Sequence, residues 1–150
     1  MKNIFTKEDN LEIVNRINSL TASSERVWGK MDVTQMLVHC QKPLDVADDK
    51  LVIKRNIISL LFGKMMKKKL IDKEEPFKQN LPTAKDFVIV SKYDFDKEKA
   101  TLSSLISRFG IEGEEIIKTK THPFFGPMTP NEWGKLFYKH LDHHLRQFGN

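Results

Sequence analysis

The apolar residues of this chain recur mostly at helical spacing. From Thr6, with Asp9 three residues on, Leu11, Ile13, Val14, Ile17 and Leu20 line one broad face, and the polar stretch 21–24 closes the pattern. Asp32 followed by Gln35 has capping-box spacing: the Asp oxygen accepts a free helix N–H while Gln35 reaches back to the cap. This predicts a second helix through Met36, Leu37, Cys40, Leu44 and Ala47. A third long helix is expected to start at Asp94 or Asp96. It runs through Leu102, Leu105, Ile106 and Phe109 to a stop at Gly110, a residue suited to a left-handed cap. The last start is the clearest. Thr129 caps, Pro130 takes the first helical position where its missing N–H costs nothing, and Glu132 completes the box. Trp133, Leu136, Phe137, Leu141, Leu145 and Phe148 then form an apolar stripe.

The two long connections read less regularly. Leu51 to Phe62 resembles a shorter helix ended by Gly63, followed by Lys64, Lys67, Lys68 and Lys69 around Met65 and Met66. Pro76 and Pro82 bracket an irregular segment, and 87–90 (Phe-Val-Ile-Val) is expected to be extended, with no obvious partner strand. Residues 111–128 form the second connection, containing His122-Pro123, Phe124-Phe125 and Gly126-Pro127. Four long amphipathic helices with two long connections predict an all-α bundle rather than a sheet protein.

Composition narrows the picture. A chain of 150 residues suits one domain, 1–150, and 39% hydrophobic with 30% charged residues is a globular balance. The single cysteine, Cys40, forbids an intramolecular disulfide, and the first residues lack the apolar run of a signal peptide, so a cytoplasmic protein is expected. The net charge of +5 permits an anionic partner without demanding one. The lysine run reads as a solvated helix face because Asp72, Glu74 and Glu75 follow at once, and no nucleic-acid or membrane partner is expected.

The histidines carry the candidate chemistry. Three of the five fall in 140–144 (His-Leu-Asp-His-His). With about 100° per residue, His140 and His144 lie within roughly 20° of Trp133, at the centre of the apolar stripe, while His143 sits at its margin. Burying two unpaired imidazoles on adjacent turns costs on the order of 1–3 kcal/mol each. A shared divalent metal satisfies both at once; the alternative is that each bonds a neighbouring helix or water. No Glu follows the first histidine, so this is not the His-Glu-x-x-His zinc-protease motif. A third ligand must come from another helix. His39 is the candidate, on a wheel position at the edge of the apolar face that permits inward pointing without requiring it. Asp142 is expected to point away and pair with a lysine or arginine. Cys40 is either a fourth ligand or a small core residue. His143 and His122 are each a neighbour of the site or an ordinary surface or loop histidine.

A Trp before a capped helix (Trp28), a Leu-x-His within it (Leu37, His39), and His-x-x-His-His on the last helix resemble the DinB-like (DinB/YfiT) metalloprotein superfamily. The ending from Trp133 to Gly149 is most similar to an uncharacterised subfamily of it. The resemblance implies a four-helix bundle in up-down-down-up order, with a long crossover between its second and third helices. It also implies a nickel or zinc ion held by His39, His140 and His144, and a homodimer. Relatives include S-transferases that use low-molecular-weight thiols such as bacillithiol or mycothiol, and a maleylpyruvate isomerase. The expected function is therefore that of a metal-dependent enzyme acting on a small-molecule substrate, either a thiol-dependent transferase with a thiol cosubstrate or a hydrolase using a metal-bound water. The alternative is a binding or scaffold protein with a structural metal or none.

Overall fold

Among the described residues, four of the five α-helices begin on a side chain that accepts a backbone N–H of their own first turn. A computed structural model describes residues 1–119 and 121–150. It is mostly helical: α1 Lys7–Ser19, α2 Val33–Ala47, α3 Ile57–Ile71, α4 Phe95–Glu112 and α5 Pro130–Gln147. The capping boxes expected at Asp32 and Thr129 form, and a third, Asn56 with Ser59, starts α3. Asp94 caps α4 through the Lys97 N–H. Thr6 does not cap α1. Its hydroxyl instead donates to Asp9, whose carboxylate also accepts the Asn3 N–H and so ties the N-terminal segment down.

Helices α1 and α2 each pack against both α4 and α5. The shared interior holds Ile13, Ile17, Met36, Leu37, Leu44, Leu102, Ile106, Phe109, Trp133 and Phe137, all essentially inaccessible. Phe109 meets Phe137 edge-on at 5.5 Å between ring centres, and Trp133 lies 5.3 Å from Phe137. Asn10 is a polar residue in this interior: its amide donates to the Ile4 and Ile106 carbonyls, which satisfies it where an apolar neighbour would not. Leu11, expected on the inner face of α1, is exposed; the buried stripe runs through Asn10, Ile13 and Ile17 instead.

The glycines expected to end helices do not. α3 runs straight through Gly63, where the Phe124 carbonyl lies so close that any Cβ would collide with it. α4 continues through Gly110, which faces the Asn10 side chain, and stops at Gly113 with φ +62°. Residues 87–90 are not uniformly extended: Phe87 closes a single 3-10 turn, Lys85–Phe87. The connection before α5 contains a two-residue antiparallel ladder, β1 Thr121–His122 with β2 Gly126–Pro127, and a 3-10 turn, Gly113–Ile116. α3 rests against β2 and α5. Among the described residues, no helix is long and apolar enough to cross a membrane.

Candidate metal centre

His39 stands in the second turn of α2, and its imidazole is buried. Pro43, four residues on, has no N–H to return to the His39 carbonyl, so the helix ladder is interrupted at the residue that carries the ring. His140 and His144 stand on successive turns of α5, His144 buried and His140 half-buried. The three rings converge. His39 lies 5.1 Å from His140 and 4.7 Å from His144, centre to centre, and His140 lies 4.7 Å from His144. One nitrogen from each falls within 4.8 Å of the other two.

Neighbouring groups fix two of the three tautomers. His39 Nδ1 lies 2.9 Å from the Phe87 carbonyl, which can only accept, so the proton sits on Nδ1 and Nε2 keeps its lone pair. His144 Nδ1 lies 2.9 Å from Gln147 Oε1. The Gln147 amide is oriented by its NH2 group, which donates to the Trp28 carbonyl at 2.8 Å, so His144 also carries its proton on Nδ1. Both rings thus present Nε2 lone pairs, held as outer partners hold metal-ligating histidines. His39 Nε2 faces His140 Nε2 at 3.1 Å. Two nitrogens each about 2.0–2.1 Å from a common zinc ion stand roughly 3.3 Å apart in a tetrahedron, so the donor set fits such an ion.

Charge is removed from the site by burial. Burial pushes the pKa of His39 down, opposed by its bond to the Phe87 carbonyl. Burial, reinforced by His39, takes His144 to about 3. His140 is driven well below its ordinary value by burial and by its two histidine neighbours. Three neutral imidazoles at pH 7 are the form that binds a divalent ion.

The remaining sequence candidates separate cleanly. Cys40 is fully buried with its thiol on Met36, pushed up in pKa by burial, and stands outside the three-histidine group. It is a core residue. Asp142 points away and pairs with Arg16 at 2.8 Å. His143 is half-buried between Trp28 and Phe77, at 5.8 and 6.0 Å, and its ring lies 5.1 Å from His144. His122 does not join the group. Its Nδ1 accepts the Phe124 and Phe125 N–H bonds, and its ring stacks on Phe125 and leans on Trp133.

The sequence reading missed three groups that shape the site. The Phe87 carbonyl and the Trp28 carbonyl act through the backbone, which leaves no residue-type signal. Gln147 was findable, because it lies one helical turn after His144 on the same face. A cleft of about 210 Å³ opens beside His143, walled by Trp28, Pro76, Phe77, Gln79 and Arg146.

A family model described as a protein of unknown function (DUF1569) matches residues 2–150, and the chain belongs to that family. No curated protein and no solved structure matches it.

Proposed function

We propose that this member of the DUF1569 family is a DinB-like metal-dependent enzyme, a four-helix bundle of up-down-down-up order in which α3 lies within the crossover. The observation that supports the reading is the convergence of three neutral imidazoles, two of them with the tautomer already set for binding. His39, His140 and His144 would hold the ion, with nickel or zinc matching imidazole donors. Three protein ligands leave a position open, as catalytic sites do. A bound ion of this kind supplies a Lewis-acid centre that favours the deprotonated form of a water or a thiol.

The chain's own residues supply the rest. Phe87 and Gln147 orient the imidazoles. The Phe87 ring stands edge-on to His39, 6.3 Å between ring centres. His140 alone of the three residues is half-buried, so a small substrate would approach the group from its side. By resemblance, the reaction class is transfer of a low-molecular-weight thiol to an electrophile, in a homodimer.

Elemental analysis of purified, tag-free protein tests this reading. About one nickel or zinc per chain, lost in His140→Ala and His144→Ala, is the expected result. No metal after incubation with nickel, zinc and manganese would end the enzyme reading.

A further inference from the structure

The first two turns of α3 are apolar around most of their circumference yet lie on the surface. The helix touches the rest of the molecule through a narrow stripe that includes Ser59, Gly63, Lys67 and Ile71. Gly63 allows backbone contact with Phe124, and Lys67 is anchored to Glu132 at 2.8 Å and to the Pro127 carbonyl. The opposite face carries Ile57, Ile58, Leu61 and Met65, which are 74%, 61%, 69% and 59% exposed. Lys64, Lys68 and Lys69 occupy the same outward face in its last two turns, and none forms an ion pair among the described residues. Between Asp49 and Asp72 the chain has seven basic residues and no acidic one, more than the whole protein's net charge of +5.

Against the expectation of a merely solvated lysine face, the exposed apolar residues beside it lead elsewhere: we propose that the outward face of α3 docks on an anionic lipid surface, with the first two turns seated among the acyl chains and the lysines at the headgroups. Ile57, Ile58, Leu61 and Met65 give the outward face of α3 an exposed aliphatic patch that a lipid surface would bury. Lysines on the same face reach the headgroup level by extending their alkyl stems, so they need not leave the apolar contact. Charge complementarity decides the occupant. A second copy packed on this face would bring unpaired lysines against lysines or against isoleucines, with no carboxylate on the face to receive them. A surface of anionic headgroups supplies the counter-charge without a fixed register. The α3 stripe is also held independently of the three histidines, so the proposal stands whether or not the metal reading does.

The test is sedimentation of the full-length protein with vesicles of phosphatidylcholine alone and of equal parts phosphatidylcholine and phosphatidylglycerol. The protein should pellet with the anionic vesicles only and dissociate as salt is raised. Leu61→Asp should abolish the partition, and each of Lys64→Glu and Lys68→Glu should lower it roughly fivefold or more. All three side chains are exposed, so far-UV circular dichroism and metal content should match the parent. No anionic-lipid dependence, or binding that survives both kinds of variant, overturns the proposal. So does a two-chain particle in solution that Leu61→Asp splits without any vesicle binding, since α3 would then be a self-association face.

Discussion

Helices α3 and α5 begin alike and end up in opposite places. Each opens on a complete capping box, yet α5 buries ten of its 18 residues and α3 only three of its 15. The difference is arrangement rather than greasiness. α5 concentrates its apolar residues in one stripe and leaves Lys135, Asp142 and Arg146 outside it. α3 spreads Ile57, Ile58, Leu60, Leu61 and Phe62 over most of its circumference, so one neighbour can cover only part of them. Periodicity predicts burial; apolar content does not. His140 and His144, the imidazoles that break the α5 stripe, are therefore informative, because most of their neighbours on that face are apolar and buried.

The largest effect that separates the two helices is in stability. Trp133→Ala, at a site with no exposure, should cost about 3–5 kcal/mol in urea unfolding, whereas Leu61→Ala on α3 should stay within about 0.5 kcal/mol. Comparable losses at both positions would mean that α3 is covered in the folded molecule. Next, Gly63→Ala should destabilise by about 1–3 kcal/mol, because the new methyl group must displace the Phe124 backbone. Hydrogen exchange should show the opening confined to α3 and 121–127 while α5 keeps its protection.

Within α5, Gln147→Leu should weaken metal retention by roughly 10–100-fold against a chelator without removing a ligand, since it frees His144 Nδ1 from its acceptor. Retention equal to the parent would show that the amide has no part in orienting the ring. The smallest effect lies where the chain leaves α2 for α3. Burial raises the Asp48 pKa, but the Arg108 guanidinium and the Lys50 ammonium more than offset it, and the carboxyl titrates below its ordinary value. A depressed folded pKa contributes stability above the unfolded value, near 3.9, and loses it as pH falls through the folded one. Asp48→Asn should thus cost up to about 1 kcal/mol at pH 7, given partly exposed partners, and the gap to the parent should close in acid.

Much of this was legible in the sequence because caps and stripes are local. The starts at Asp32, Asp94 and Thr129 rest on side chains within three residues of the N–H groups they satisfy. The direction of His140 and His144 followed from their place in a one-sided stripe. What local rules could not reach was set by partners distant in the chain. Gly63 and Gly110 carry the composition of helix stops, but Phe124 and Asn10 press against them, so small residues were needed inside helices. His39 sat on a wheel edge, and its hydrogen bond to a carbonyl 48 residues away holds it against the other rings. Leu11 was misplaced because a buried asparagine took the inward position beside it.

The facing nitrogens of His39 and His140 belong to residues 101 positions apart. Bringing two such points of a flexible chain together costs on the order of 4 kcal/mol in loop-closure entropy, far more than one imidazole contact returns. The helices must therefore be assembled by their apolar faces before the rings can meet. Partial loosening of either helix would scatter the trio before the core itself came apart, which makes the cluster a sensor of the chain's own completeness.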